Sequence, residues 1–222
     1  MVQKLTGNRG VFWLVWLAGL AVLGVMSGFA AATDYFPGDL RVAHWIQDLH
    51  RVGFDPIASF TNFAGDTWPA SLITIAFAAI FALMKRRWEG ALVVLTFVPR
   101  GLRQLLAWVV GRPRPSGELL HVTDHASGHS FPSGHTVGAV VLFGVLFLLA
   151  GRIPGNRRLR WLFRAFCVFM ILATGPARVY VGAHWPSDVL GGYLFGLLSL
   201  ALLDRLYRQS QGAGADSQRP GD

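Results

Sequence analysis

Three short segments of this chain concentrate side chains able to handle an anion or a proton. Gly111-Arg112-Pro113-Arg114-Pro115 sets two guanidinium groups in one turn; arginine offers a planar fork of donors that matches phosphate oxygens and stays charged, so phosphate is the natural partner. Phe131-Pro132-Ser133-Gly134-His135-Thr136 stands directly ahead of an apolar run. That places a hydroxyl and free backbone N–H groups at a helix start, where the dipole also favours an anion. The third segment, RVYVGAHWPSD, holds Arg178, His184 and Asp188. A carboxylate four residues from an imidazole can reach it across one helical turn, fix its tautomer and prepare it as a nucleophile or general base. Each segment alone has a plain structural alternative: headgroup snorkelling for the arginines, helix capping for Ser133, an interface position for His184. The conjunction of all three, each at the same end of an apolar segment, points to chemistry.

The elements that must position these residues are membrane spans. Of 222 residues, 53% are hydrophobic and 14% charged, a balance suited to lipid as solvent. Val11 to Ala32 runs 22 residues without a charge, enough to cross the hydrocarbon core and longer than the apolar region of a signal peptide. Thr67 to Met84, Trp88 to Val110, Thr136 to Ala150, Trp161 to Ala177 and Val189 to Leu203 bring the expected spans to six. The fold class expected is all-α, a six-helix membrane bundle. Val42, Trp45, Ile46 and Leu49 add a short amphipathic helix at the interface after the first span. Packing over the bundle ends is its expected role. Residues 1–208 form one domain in this reading, and the polar, Gly-rich stretch from Gln209 to Asp222 is expected to be disordered.

With the N-terminus inside, Lys4, Arg9, Lys85, Arg86, Arg87, Arg152, Arg157, Arg158, Arg160, Arg205, Arg208 and Arg219 collect on the inner side, which is 12 of the 20 basic residues. The positive-inside rule selects that orientation and puts all seven histidines outside. The net charge of +8 therefore belongs to membrane topology, and no basic module with interleaved aromatics suggests nucleic acid as a partner. One cysteine, Cys167, sits in an apolar run, which precludes an internal disulfide and a cysteine-based zinc cage. His121, Asp124, His125 and His129 are read as a polar loop rimming the entrance, because Gly128 interrupts any helix there and no further ligand is fixed.

These segments resemble the three motifs of the type 2 phosphatidic acid phosphatase (PAP2) superfamily, K-x6-R-P, P-S-G-H and S-R-x5-H-x3-D. Arg114-Pro115 fits the end of the first, Pro132 to His135 the second, and Arg178, His184 and Asp188 the third with both spacings kept. The likeness runs from about Trp108 to Gly192. It implies a membrane-embedded phosphatase acting on a lipid phosphate without metal or other cofactor. In that scheme His184 attacks phosphorus, Asp188 holds its ring and His135 protonates the leaving oxygen. Arg114, Arg178, Ser133 and Gly134 hold the phosphoryl group. Two positions depart from the pattern: the lysine falls on Ala107 and the serine on Ala177. Arg103, one helical turn before Ala107 on the same face, and Arg112 are the candidates to supply the missing cation, and an arginine buried in a span is a functional suspect by default. The alternatives are a lipid-to-lipid phosphotransferase and a decayed lipid-binding or transport protein. Undecaprenyl diphosphate, phosphatidic acid, phosphatidylglycerophosphate and a lipid A phosphate all suit the residues, and nothing in the sequence speaks to oligomeric state.

Overall fold

The structure, a computed structural model, describes residues 9–216. Among these described residues nine α-helices follow in order: α1 Arg9–Ala32, α2 Asp39–Gln47, α3 Asp55–Gly65, α4 Thr67–Leu83, α5 Arg87–Val94, α6 Phe97–Val110, α7 Gly134–Leu149, α8 Arg157–Tyr180 and α9 Pro186–Asp216. Two short 3-10 turns, Asp48–Val52 and Ala150–Arg152, complete the set, and no strand occurs among the described residues. Among the described residues five spans are long and apolar enough to cross a membrane, and a sixth forms if α3 and α4, bent by 66° at Asp66, count as one. The expected second span thus has an additional limb, α3. The expected third is built from α5 and α6 in succession.

Helix α7 is apolar on every side, the composition of a helix that belongs in the interior. It packs against both α8 and α9, with Val137, Val141, Val145 and Leu149 buried against Cys167 and Met170. The outer helices turn apolar side chains outward instead. Leu102, Leu105 and Val109 of α6 are exposed while Arg103, Ala107 and Val110 face inward, so a lipid-facing and a protein-facing side are set by one helical period. Since lipid is as apolar as leucine, such helices associate through close packing and hydrogen bonds.

The last turn of α8 carries Arg178 past a proline. Pro176 has no N–H to give the carbonyl of Leu172, four residues back. The Tyr193 hydroxyl of α9 donates to the carbonyls of Ile171 and Leu172, at 2.9 and 3.2 Å. A Cβ on Gly175 would lie 2.5 Å from that hydroxyl, so glycine is what lets the two helices close here.

Helix α2 lies over the same end of the bundle, with Ala43 and Ile46 packed on Leu120, Val179 and Trp185. Its role is the packing one. Trp45 and Val42, expected on the same face as Ile46, are 69% and 41% exposed. At the other end α9 continues to Asp216, through residues 209–216 of the polar tail. An established helix extends at little cost per residue, and the Arg208–Asp204 pair, 2.7 Å apart, supports the turn just before. The remainder of that tail, 217–222, lies outside the described residues.

Candidate active site

The loop from Gly111 to Ser133, the start of α7 and the junction of α8 with α9 meet at one end of the bundle. Backbone bonds fix them there: Ser130 N–H donates to the Arg112 carbonyl at 2.9 Å, Ser133 N–H to the Asp188 carbonyl at 3.0 Å, and Thr123 N–H to the Val181 carbonyl at 3.0 Å. His184 lies immediately ahead of α9 with only 2% of its surface exposed. Its Nε2 is 3.1 Å from Nη1 of Arg114. Arginine can only donate, so that nitrogen is the unprotonated one, which assigns the proton to Nδ1. Nδ1 faces Asp188 Oδ2 at 3.5 Å and Ser130 Oγ at 3.4 Å. The ring therefore carries a lone pair on Nε2, aimed at a cationic cluster. Burial is the main cause that pushes the imidazole down to about 3, opposed by Asp188 and reinforced by Arg114 and Arg178, which keeps it neutral and nucleophilic at ordinary pH.

Asp188, in the first turn of α9, is held more tightly than its motif suggests. Its Oδ2 accepts from the Trp185 N–H at 2.9 Å and from Ser130 Oγ. Its Oδ1 pairs with Arg112 Nη1 at 2.5 Å. The rest of the Arg112 guanidinium is engaged as well: Nε donates to the Asp34 carbonyl at 3.1 Å, Nη1 to Ser187 Oγ at 2.8 Å, and Nη2 to Asp39 Oδ2 at 3.2 Å. Phe36 lies under the group at 4.8 Å. Arg112, expected to hold phosphate, points its donors to Asp188 and Asp39, on the Nδ1 side of the His184 ring.

Arg114, Arg178 and Arg103 line the other side. Arg114 is braced by the carbonyls of Gly128, Ala183 and Ser127 at 3.0, 2.8 and 3.1 Å. Burial first, then neighbouring Arg178, lowers its guanidinium below the ordinary value, against the opposing pull of Asp188 and Asp124. Arg178 gives Nη1 to Asn62 Oδ1 at 3.0 Å and to Asp124 Oδ2 at 2.8 Å, and its Nε is buried without a partner. Arg103 donates Nε to the Pro132 carbonyl at 2.6 Å and leaves Nη2 buried and unpartnered. A Cβ on Gly134 would be 3.1 Å from its Cζ, so this guanidinium lies on the start of α7. Two buried donors without acceptors, when such groups are nearly always satisfied, mark a place for a bound anion.

Ser133 occupies the N-cap of α7 yet makes no capping bond with its side chain. Its hydroxyl accepts from Thr136 Oγ1 at 3.0 Å, which leaves its own proton free to donate. His135 follows, with Nε2 at 3.0 Å from Asp66 Oδ1 at the bend between α3 and α4. A cavity of about 370 Å³ begins at His135, Arg103 and Gly134 and descends between α4, α6, α7 and α8. Among the described residues no three His, Cys, Asp or Glu side chains group to hold a metal ion, and Asp124 of the histidine-rich loop pairs with Arg178. The sequence reading missed Ser130, Asp39, Asp66 and Asn62, and it put Asp124 in the entrance rim without its pairing to Arg178. Asp66 alone left a trace, as a polar residue one position ahead of an apolar span.

Fold and site together define a multi-pass membrane protein that holds a neutral, oriented imidazole against a cluster of arginines. The sequence profile of the PAP2 superfamily matches residues 88–211. Phosphatidylglycerophosphatase B of Bacillus subtilis (strain 168) is 30% identical over 149 residues, covering 66% of this chain and 71% of that protein. Lipid A 1-phosphatase of Rhizobium etli and undecaprenyl-diphosphatase BcrC of Bacillus subtilis are each 34% identical, over 49% and 44% of this chain. The chain spans under half the length of those two, 46% of each. In three dimensions the chain matches the transmembrane PAP2 type phosphatidylglycerolphosphate phosphatase from Bacillus subtilis with a TM-score of 0.69, over 85% of this chain and 96% of that one at 20% identity, a likeness of fold. The chain belongs to the PAP2 superfamily, and it is a membrane lipid phosphatase of that family.

Proposed function

We propose that the protein hydrolyses a phosphate monoester or diphosphate of a lipid through a phosphohistidine at His184. What carries this reading is the imidazole itself, with Nδ1 turned to Asp188 and Ser130 and Nε2 turned to Arg114. When a phosphoryl group enters, Arg114 Nη1 exchanges its contact with Nε2 for a phosphoryl oxygen. The free donors of Arg178 and Arg103, the Ser133 hydroxyl and the first N–H groups of α7 meet the remaining oxygens. Nε2 attacks phosphorus, and the positive charge that develops on the ring is met by Asp188. His135, backed by Asp66, gives a proton to the leaving oxygen and later takes one from the water that cleaves the P–N bond. The residues call for no metal in these steps.

The lipid enters from the side of the bundle, with its tail in hydrocarbon and its phosphate in the arginine cluster. The excess of basic residues toward the opposite end supports a topology with both chain ends in the cytoplasm and the site facing the periplasm or exterior of a bacterial inner membrane. The test is phosphate release by detergent-purified protein from a panel of lipid phosphates, with EDTA present, beside His184→Ala and His135→Ala. Wild type is expected to release phosphate and to yield an acid-labile phosphoryl adduct on His184 by mass spectrometry. Release that persists in His184→Ala would sink the mechanism.

A further inference from the structure

Helix α6 presents a second arginine that the scheme above leaves unused. Arg100 lies within a membrane-spanning segment, about 15 Å along α6 from its Val110 end, roughly halfway into the hydrocarbon core. No carboxylate pairs with it among the described residues. Its guanidinium rests on the Phe97 ring at 5.5 Å, and its Nε is buried without a hydrogen-bond partner. A charge held there without a partner is costly, and Arg100 lines the same cavity as His135 and Arg103. The exposed rim residues Thr67, Phe97 and Gly101 open that cavity through the side of the bundle between α4 and α6.

The placement repeats that of Arg103. A Cβ on Gly134 would meet Arg103 Cζ at 3.1 Å, and a Cβ on Gly138, one turn deeper in α7, would meet Arg100 Nε at 3.5 Å. Two arginines one turn apart on α6 thus lie on two glycines one turn apart on α7, forming a ladder that descends from the phosphoryl site past His135. His135 marks the side of the departing oxygen, so the lower rung faces the leaving group. The rest of the cavity wall there is Ala64, Ala139, Leu142, Phe143 and Met170, which suits an acyl or prenyl tail.

We propose that Arg100 is a specificity-determining residue that holds a second phosphate, making the preferred substrate a lipid diphosphate. The inference rests on the lipid phosphatase reading and refines it. His184 Nε2 forms a bond to the terminal phosphorus as the bridging P–O bond breaks. The electron pair stays on the bridging oxygen, which takes a proton from His135 and departs as part of a lipid monophosphate whose remaining charge Arg100 meets. A water oxygen then replaces Nε2 on phosphorus, giving up a proton to His135, and inorganic phosphate leaves.

The experiment compares two substrates with one tail, farnesyl diphosphate and farnesyl monophosphate, on wild type, Arg100→Gln and Arg100→Lys in the same detergent, reading kcat/KM by phosphate release and folding by thermal melt. Wild type should favour the diphosphate. Arg100→Gln should lower the ratio of diphosphate to monophosphate kcat/KM by about ten- to hundredfold, the effect of losing a hydrogen bond between charged groups, and Arg100→Lys should restore part of it. Equal losses on both substrates, or an unchanged ratio, overturns the assignment. A wild type that cleaves only the monophosphate overturns it too while leaving the phosphatase reading intact, whereas a wild type inert on every lipid phosphate brings down that reading first. Should Arg100→Gln fail to fold, the ratio measured in Arg100→Lys decides, since only a group that touches the second phosphate changes selectivity when its donors are rearranged.

Discussion

Replacing Arg112 by alanine separates a residue that touches phosphate from one that holds Asp188. The guanidinium is 1% exposed and lies between two buried carboxylates, Asp188 at 2.5 Å and Asp39 at 3.2 Å. Removing one partner of a buried ion pair costs about 3–5 kcal/mol, because the other charge is left uncompensated. Both carboxylates retain other donors here. Asp39 keeps the N–H groups of Phe36 and Ser187 at 2.7 and 2.8 Å and the Ser187 hydroxyl at 2.5 Å; Asp188 keeps Ser130 and the Trp185 N–H. The lower end, about 3 kcal/mol, is therefore expected, a fall in melting temperature of roughly 6–12 °C for a chain of this size.

The same variant has a kinetic signature. If Arg112 acts only through Asp188, kcat falls as the imidazole loses its orientation, while competitive inhibition by inorganic phosphate stays within about twofold of wild type. Loss of a direct bond from a guanidinium to phosphate is worth about 1.5–3 kcal/mol and would raise that inhibition constant by about ten- to hundredfold. A rise of that size with an unchanged melting temperature would refute the positioning role and return Arg112 to the phosphoryl side. Arg112→Lys should recover stability in part, since a single ammonium cannot reach Asp34, Asp39, Ser187 and Asp188 together.

Three further outcomes follow from the same geometry. Ser130→Ala removes the hydroxyl that donates to Asp188 and faces His184 Nδ1; kcat should drop about tenfold or more with KM little changed, and a KM effect alone would contradict it. Asp124→Asn removes the carboxylate that occupies Arg178 at 2.8 Å, so KM and the inhibition constant for inorganic phosphate should both fall several-fold; a rise in either means that Asp124 supports the cluster instead of competing with substrate. The His184 imidazole is pushed down to about 3 when folded, against 6.5 when free. Between those values the unfolded chain binds the extra proton, so this contribution is whole above pH 6.5 and lost as pH falls toward 3. Thermal melts of wild type and His184→Asn from pH 4 to 8 should therefore diverge only below about pH 6.5, the wild type losing more stability; parallel curves would disprove the shift.

The spans were legible because a charge-free run of sufficient length has few other uses, and the central position of α7 follows from its lack of any polar face. The bend at Asp66 was not. Asp55–Gly65 mixes Asp, Asn, Ser and Thr with apolar residues, too polar to read as a span and too short for a periodic signal. It is nevertheless the element that delivers Asn62 to Arg178 and, at its end, Asp66 to His135. The continuation of α9 through a polar tail was hidden for the opposite reason, since composition reports what a segment can bury and not whether a preceding helix will extend into it.

Motif spacing pointed to Arg114, Ser133, His135, Arg178 and His184 because they are close in sequence to the helix ends that carry them. The groups behind them come from far along the chain: Asp39 meets Ser187 across 148 positions and Arg112 meets Asp188 across 76, and no periodicity links such pairs. Distance in sequence also hides the partners of Arg112, since a guanidinium beside Arg114 looks like a second phosphate ligand until Asp39 and Asp188 are seen beside it. The missing lysine resolves by the same kind of reasoning. Ala107 is buried on the inner face of α6 and could not reach the helix start in any case. Arg103, one turn earlier on that face, has the longer side chain and lays its guanidinium on Gly134. A cation thus still faces the start of α7, delivered from a position the family pattern leaves unspecified, with one buried nitrogen unpartnered for the oxygen it is proposed to hold.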